Sequence, residues 1–253
     1  MQPEIDLLGL PIKTFGLCFA LAFLAAGALL TRRFRELRWP GDQATEALLA
    51  ALLGGLVGAR AYWLIDNWSD AKGDVFGSIF GGSGLTWYGG ALGGALAVLA
   101  WARWRGHLNA RLLDAAAPSL ALGYALGRVG CQVSGDGDYG RTSDAPWAMG
   151  YPKGAVATDP GVTVLPTPIF ETVVMGVAAM ILWQLRDRLP AGALFGLYLV
   201  FAGLERFVVE FWRRNPDVDL GLTTAQVTSI GMLIVGGALL VWRLRAARTQ
   251  VAS

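Results

Sequence analysis

Histidine and cysteine are scarce in this chain of 253 residues, which has one histidine, His107, and two cysteines, Cys18 and Cys131. A single histidine excludes a histidine-based metal cluster, and the two cysteines lack the paired spacing of a zinc site or a disulfide framework. Charge is scarce as well, because charged residues make up 16% of the chain and the net charge is +2. An ordinary soluble domain is about 25% charged. The sequence therefore indicates neither a basic surface for nucleic acid nor a typical soluble protein.

Apolar residues are abundant, at 54% of the chain, and the mean hydropathy is +0.47. A helix that spans a membrane needs about 20 mostly apolar residues. Seven stretches meet this need, and they cover residues 13–31, 44–65, 85–102, 112–133, 166–185, 191–212 and 224–242. The intervening stretches 66–84 and 134–165 are too polar to span. The sequence predicts an all-α integral membrane protein, a single membrane domain of about seven transmembrane helices with a small cap over 134–165.

The positive charges predict how the chain is oriented in its membrane. Twelve Lys and Arg residues lie in the tail and in the loops that follow the first, third and fifth predicted spans, whereas six lie on the opposite side. Cytoplasmic loops carry an excess of Lys and Arg. We therefore expect the N-terminus outside, the C-terminus inside, and the cap on the extracytoplasmic side.

Three arginines, Arg60, Arg128 and Arg206, lie inside predicted spans. An ionisable residue within a membrane segment is costly and marks a functional site by default. Each of the three falls within about two helical turns of the predicted outer end, on the order of 10 Å from it. The same level is predicted for four other polar side chains: Tyr88, Glu171, Glu205 and Glu210.

This layer of arginines suits the phosphate of a lipid headgroup, because the planar guanidinium pairs with phosphate oxygens in a bidentate way. Two other interpretations stay open on spacing alone. The charges can neutralise each other as structural pairs, as the i, i+4 spacing of Arg206 and Glu210 allows. The arginine stems can also lie in lipid while their heads reach water, although three in register fit this less well.

The segment 127–140, GRVGCQVSGDGDYG, resembles the signature of bacterial prolipoprotein diacylglyceryl transferases. Four further segments resemble elements of that family in the same order along the chain: 58–60 (GAR), 87–94 (WYGGALGG), 166–171 (PTPIFE) and 206–217 (RFVVEFWRRNPD). The resemblance covers almost the whole chain. It implies an enzyme of the bacterial inner membrane that takes phosphatidylglycerol from the outer leaflet. The diacylglyceryl group moves to the lipobox cysteine thiol of a prolipoprotein, and glycerol 1-phosphate leaves, with no cofactor or metal.

The resemblance also implies roles for particular residues. Arg128 and Arg206 match the two key arginines of the family, and fixed cations beside the departing phosphate lower the barrier. Arg60 is a supporting phosphate ligand. Tyr88 and Glu210 are the further catalytic candidates. The remaining candidates for substrate contact are Glu171, Gly89, Gly90 and Asp136.

The group that accepts the proton of the acceptor thiol stays open. Many family members have a histidine where this chain has Tyr88, and histidine accepts protons readily near neutral pH. His107 is predicted in an inner loop and cannot replace it. Tyr88 can serve by hydrogen bonding, Glu171 or Glu210 can accept the proton, or the field of the arginines can favour the thiolate.

Structural roles compete with some of these assignments. Gly89 and Gly90 fit a close helix-packing face better than a ligand loop. Asp136 fits a turn better than a calcium loop. For the whole protein, the alternatives are a non-enzymatic carrier or binder of anionic lipid, and a transferase acting on another lipid or thiol. Polar residues are sparse in the inner halves of the predicted spans, which argues against a path through the membrane.

Overall fold

The structure, a computed structural model, describes residues 1–7, 10–73, 75–80, 86–216 and 221–252. Residues 85 and 217, which belong to the predicted third span and to the last family motif, lie outside the described residues, as do residue 74 and residues 81–84 of the polar loop. Two short strands come first, β1 (Glu4–Leu7) and β2 (Leu10–Lys13). The helices that follow are α1 (Thr14–Glu36), α2 (Asp42–Asp66), α3 (Trp68–Ala71), α4 (Val75–Phe80), α5 (Trp87–Arg105), α6 (Ala110–Ser134), α7 (Thr167–Leu185), α8 (Ala193–Glu210) and α9 (Thr224–Ala252).

The seven long helices coincide with the seven apolar stretches of the sequence, within a few residues at most ends. The strand pair departs from a purely helical fold. β1 and β2 are antiparallel, with Glu4 opposite Lys13, and the alternation of polar and apolar residues in β1 fits a strand. The Thr14 hydroxyl joins this pair to α1, because it donates to the carbonyl oxygens of Gln2 at 2.7 Å and Pro3 at 3.0 Å.

Four helical segments of the described chain are long and apolar enough to cross a membrane: Thr14–Glu36, Asp42–Asp66, Thr167–Leu185 and Thr224–Thr249. Large apolar side chains on these helices point outward, as Leu24 and Val57 show, each 69% exposed. The other three long helices are not among these segments; α6 and α8 contain charged side chains, and α5 contains several glycines and tryptophans. The structure therefore supports an integral membrane protein, whereas seven spans and their orientation stay predictions.

The chain forms two compact units. The first contains Met1–Leu30 and Leu113–Ser253, and the second contains Thr31–Leu112. The core of the first unit lies between α6, α7 and α8, and its buried residues are mainly alanines of α6 and α7 with three larger side chains: Met175, Leu182 and Leu194. Small residues let these helices approach closely. Such residues are common where helices pack within a lipid bilayer, because lipid provides no hydrophobic driving force for their association.

Two contacts fix α8 within the first unit. The carboxylate of Asp114 on α6 accepts hydrogen bonds from the backbone N–H groups of Gly192, at 2.6 Å, and Phe195, at 2.9 Å. It thereby satisfies donors that the first turn of α8 leaves without helical partners. α9 packs directly on the backbone of α8, since a Cβ added at Gly196 would lie 2.9 Å from the carbonyl oxygen of Gly236.

The second unit contains a close pair of helices, α2 and α5, joined through glycines. Gly54 and Gly58 on α2 face Gly89 and Gly93 on α5, and a Cβ added at Gly93 would lie 2.7 Å from the Cα of Gly58. This spacing of small residues four apart is typical of membrane helix pairs. The packing interpretation of Gly89 is therefore confirmed.

His107 belongs to an aromatic cluster near the ends of α1, α2 and α5 in the second unit. Its ring lies 4.3 Å from that of Trp39 and 5.9 Å from that of the buried Trp101. Glu46 accepts hydrogen bonds from Trp101 Nε1 at 2.9 Å and Arg105 Nε at 2.8 Å. His107 thus packs among aromatic rings, one of which, Trp101, donates to the Glu46 carboxylate that pairs with Arg105.

The cap was predicted over 134–165, and in the structure the segment between α6 and α7 covers residues 135–166. It is held by two stacked tyrosines and short stretches of strand-like pairing. The rings of Tyr139 and Tyr151 lie 4.6 Å apart, and Val164 pairs with both Thr142 and Met149. The hydroxyl of Tyr151 donates to Gln132 Oε1 at 2.8 Å, which joins the cap to α6. Tyr151 is fully buried, and this burial raises the pKa of its hydroxyl to about 12.

Candidate functional site

Arginines and carboxyl groups of the first unit meet where the cap covers the ends of α6, α7 and α8. We call this set the arginine–carboxylate cluster, and its members are Arg128, Asp138, Glu171, Glu205, Arg206, Glu210 and Arg213. α6 supplies one member, α7 one and α8 three, the cap supplies one, and the last follows the end of α8. Seven ionisable side chains in one place require close pairing, because unpaired buried charges are costly.

Glu171 lies at the centre of this cluster, with a side chain that is 0% exposed. Arg128 forms an ion pair with it through Nε. Arg213 Nη1 lies 3.1 Å and Arg206 Nη1 lies 3.9 Å from Glu171 Oε1. The hydroxyl of Tyr124 donates to Glu171 Oε2 at 2.7 Å. One buried carboxylate therefore positions three guanidinium groups that come from separate parts of the chain.

Arg206 has a second carboxylate partner and one unused donor. Its Nη2 lies 2.6 Å from Glu210 Oε2, one helical turn further along α8. Glu210 also accepts a hydrogen bond at 2.6 Å from Asn215 Nδ2. Arg206 Nη1 is buried and has no hydrogen-bond partner among the described residues. Because buried donors are nearly always satisfied, this N–H group is a natural donor to an anionic ligand.

Asp138 connects the cap to the helices. It pairs with Arg128 and, through Oδ1 at 2.5 Å, with Arg213 Nη2, and its backbone carbonyl accepts a hydrogen bond at 2.8 Å from the Thr167 hydroxyl. Burial opposes ionisation of Asp138, but Arg213 and Arg128 outweigh it and hold the pKa of this carboxyl below its ordinary value. The same contacts raise the pKa of Arg213 against the effect of its burial, through Asp138 and Glu171.

A cleft of about 360 Å³ lies beside the cluster on the side of the cap. Its lining is polar and includes two members of the cluster together with their neighbours: Gly137, Asp138, Tyr139, Arg213, Arg214 and Asn215. The guanidinium of Arg214 lies over the ring of Tyr139, 4.4 Å from its centroid. Cationic groups thus line an opening that leads to the arginine–carboxylate cluster.

The structure brings together four of the residues that the sequence proposed: Arg128, Glu171, Arg206 and Glu210. Asp136 lies nearby but has a turn role, since its Oδ1 accepts a hydrogen bond at 3.2 Å from the backbone N–H of Asp138.

The other four proposed residues belong to the second unit. Arg60 donates to the carbonyl oxygen of Ser78 and lies over the ring of Trp63, 4.7 Å from its centroid. Tyr88 is 42% exposed, at the start of α5, and Gly89 and Gly90 follow it. Their roles toward substrate stay predictions.

Sequence reasoning did not assign roles to Tyr124, Asp138, Glu205 or Arg213. Tyr124 precedes Arg128 by four residues, and residues four apart share a helix face, so this neighbour was visible in the sequence. Asp138 and Arg213 are separated by 75 residues, and nothing in their local sequence indicates that they meet.

One group of potential metal ligands also touches the cluster. Cys131, Asp136 and Asp138 place one ligand atom each within 4.8 Å of one another. Arg128 pairs with Asp138 and lies 3.8 Å from Cys131 Sγ. A bound cation would therefore lie beside a guanidinium, and the arrangement fits an internal ion pair better than a metal site.

The sequence also matches a family model described as prolipoprotein diacylglyceryl transferase, over residues 4–242. The chain belongs to this family. A relative named phosphatidylglycerol–prolipoprotein diacylglyceryl transferase, from Photobacterium profundum, is 33% identical over 97% of this chain and 94% of its own length. A protein of the same name from Dehalococcoides mccartyi is 32% identical over 93% of this chain and 91% of its own length. Another from Vibrio vulnificus is 31% identical over 94% of this chain and 90% of its own length.

Membership in the prolipoprotein diacylglyceryl transferase family makes the protein a transferase of lipoprotein biosynthesis. The matched residues 4–242 include the whole second unit and most of the first. They also include every member of the arginine–carboxylate cluster.

Proposed function

We propose that this protein transfers the diacylglyceryl group of phosphatidylglycerol to the lipobox cysteine thiol of prolipoproteins and releases glycerol 1-phosphate. Membership in the transferase family over residues 4–242 is the observation that carries this assignment. The relatives named for that activity are similar along nearly their whole length, so the assignment does not depend on a fragment.

The reaction needs positive charge beside the phosphate. The substrate sulfur forms a bond to the glycerol carbon, the bond from that carbon to the phosphate oxygen breaks, and the electron pair leaves with glycerol 1-phosphate. Fixed donors placed where this charge develops lower the barrier. Arg128 and Arg206 supply them, and Arg206 Nη1 is a donor that forms no hydrogen bond within the described residues. Arg213, at the opening cleft, is a third cation for the same phosphate.

The carboxylates hold these arginines in place before substrate binds. Glu171 contacts all three guanidinium groups, and Glu210 pairs with Arg206. Glu210 is shared between Arg206 and Asn215, so its role in catalysis is to orient Arg206. Arg60 and Tyr88 are the residues of the second unit that we assign to lipid contact, whereas Gly89 and Gly90 pack α5 on α2 and Asp136 forms the turn that carries Asp138.

We place the site at the extracytoplasmic side of the bacterial inner membrane, in a bundle of seven spans with the N-terminus outside. The excess of Lys and Arg in the opposite loops supports this orientation. The cap then covers the site from the extracytoplasmic side, where the prolipoprotein presents its lipobox cysteine.

The test is conversion of a lipobox peptide by the purified protein in vesicles that contain phosphatidylglycerol, followed by mass spectrometry. The wild type is expected to add one diacylglyceryl group per peptide. Arg128→Lys and Arg206→Lys keep the charge but lose the planar fork, and each is expected to lower the rate at least 100-fold, the typical effect of losing one such donor. Arg111→Lys is the matched control, because Arg111 is exposed near the other end of α6.

One result would contradict the assigned activity, and another would contradict the assigned site. A wild-type protein that binds phosphatidylglycerol but never modifies the peptide would instead be a carrier or binder of anionic lipid. Arg128→Lys and Arg206→Lys variants that keep the wild-type rate would leave the activity in place but remove the cluster as its site.

A further inference from the structure

The arginine–carboxylate cluster contains one more carboxyl group than guanidinium groups. Its three arginines are Arg128, Arg206 and Arg213, and its four acids are Asp138, Glu171, Glu205 and Glu210. Each acid except Glu205 forms at least one ion pair with an arginine. Within the part of the chain that the structure describes, Glu205 forms no ion pair. The count of charges leaves one carboxyl group without an arginine, and the contacts show that this group is Glu205.

Glu205 is also buried. It is 7% exposed, and its Oε1 has no hydrogen-bond partner among the described residues. Its Oε2 lies 3.3 Å from the hydroxyl of Tyr124. A buried carboxylate without a cation costs several kcal/mol, whereas a protonated carboxyl group at the same place avoids most of that cost. Among the four acids of the cluster, Glu205 is thus the one that no arginine of the described residues holds in an ion pair.

The ionisable groups around Glu205 come from α6, α7 and its own helix. They are Tyr124, Arg128, Glu171 and Arg206. The other long helices of the first unit add none, because residues 14–30 and 224–242 contain no Asp, Glu, Lys, Arg or His. Arg206 directs its Nη2 to Glu210 and its Nη1 toward Glu171, so the adjacent arginine forms its ion pairs with other acids of the cluster.

Tyr124 connects Glu205 to the arginine that we place at the phosphate. Its hydroxyl lies 2.7 Å from Glu171 Oε2 and 3.3 Å from Glu205 Oε2, and it accepts a hydrogen bond at 3.4 Å from Arg128 Nη2. A proton that reaches the Tyr124 oxygen can therefore pass to a carboxyl group in one step. Glu171 is stabilised as an anion by three arginines, which leaves Glu205 as the acceptor.

We propose that Glu205, acting through Tyr124, takes up the proton that the acceptor thiol releases as its sulfur attacks the glycerol carbon. This inference rests on the proposed transferase function and names its proton acceptor. The Tyr124 hydroxyl turns from Glu171 Oε2 to Glu205 Oε2 and gives its proton to Glu205, while the thiol proton moves to the Tyr124 oxygen. The sulfur forms its bond to carbon, and the departing glycerol 1-phosphate carries away the electron pair. Glu205 returns its proton to water after product leaves.

The test measures kcat and KM against pH for the wild type, Glu205→Gln and Tyr124→Phe in the vesicle assay. General base catalysis contributes about 10²–10⁴ in rate, so Glu205→Gln is expected to lower kcat at least 100-fold with little change in KM. The wild-type kcat is expected to rise with pH as Glu205 loses its proton, and this rise should be absent in Glu205→Gln. Because the two residues act in series, the double variant should be no slower than the slower single variant.

The melting temperature checks the folding of each variant separately from its activity. Failure of this inference can be distinguished from failure of the proposed function. Glutamine resembles the protonated side chain, so Glu205→Gln should melt within about 2 °C of the wild type. Glu4→Gln, an exposed carboxyl group on β1, is the matched control for rate. Wild-type activity with an unchanged kcat and pH profile in Glu205→Gln overturns this inference alone. Absence of diacylglyceryl transfer by the wild type overturns the proposed function.

Discussion

Replacing Glu171 with glutamine is expected to destabilise the protein substantially, because this one side chain holds three arginines. The substitution keeps the size of the side chain and an oxygen that can accept the hydrogen bond from Tyr124. It removes the negative charge shared by Arg128, Arg206 and Arg213. Glu171 is 0% exposed, so water cannot replace the lost partner.

The magnitude follows from the remaining contacts. Breaking a buried ion pair by removing one partner costs about 3–5 kcal/mol. The lower end applies here, because Arg128 and Arg213 keep Asp138 and Arg206 keeps Glu210. For a protein of this size, each kcal/mol lowers Tm by roughly 2–4 °C, so a loss of about 3 kcal/mol corresponds to roughly 6–12 °C.

Tryptophan fluorescence during heating of the purified protein in detergent measures this loss. Membrane proteins often unfold irreversibly, so wild type and variant are compared at one scan rate. Glu4→Gln, with an exposed side chain, is the control and should melt with the wild type. A Glu171→Gln protein that melts within about 2 °C of the wild type would refute the conclusion that Glu171 is the central anion of the cluster.

Two further outcomes are expected. Gly93→Ala should lower Tm, because its Cβ would lie 2.7 Å from the Cα of Gly58 and overpacking costs about 1–3 kcal/mol. Gly176→Ala is the comparison: a Cβ there meets nothing within 4 Å, so the substitution should stabilise its helix by up to about 1 kcal/mol. A Gly93→Ala protein at least as stable as the wild type would contradict the close packing of α2 and α5. Tyr151 should ionise late, with a pKa of about 12, above the value of about 10 for an unfolded chain. Its contribution to stability is therefore complete below pH 10 and is lost as the pH rises toward 12. The difference in tyrosine absorbance between the wild type and Tyr151→Phe measures this step, and a difference curve centred near pH 10 would contradict the burial of Tyr151.

The long helices could be predicted from the sequence because each is a run of apolar residues, and polar loops separate one run from the next. α2 and α7 illustrate this, since the predicted bounds 44–65 and 166–185 differ from Asp42–Asp66 and Thr167–Leu185 by two residues or fewer. The strand pair β1–β2 was missed because each strand has four residues, too few for a periodic pattern to stand out in a window of useful length.

The candidate site was predicted in part, and the reason lies in what each residue shows locally. Arg128 and Arg206 stand out because charges within apolar segments are rare. Asp138 and Arg213 lie outside such segments, in polar stretches where charged residues are ordinary. Only the folded cap places Asp138 against Arg213, 75 residues away. Glu205 was visible as an acid within a predicted span, but the absence of a cationic partner among the described residues is a property of the packed helices.

The unequal numbers of acids and arginines also explain how negative charge would move during the proposed reaction. When Glu205 is ionised, its charge lies on the one carboxyl group of the cluster without a guanidinium. Proton uptake by Glu205 removes the charge from that place, and the departing phosphate gains it beside Arg128 and Arg206. Interaction between charges falls with distance and strengthens as water is excluded. The same charge is therefore stabilised better after the transfer than before it, because the carboxylates have already fixed the arginines around the phosphate.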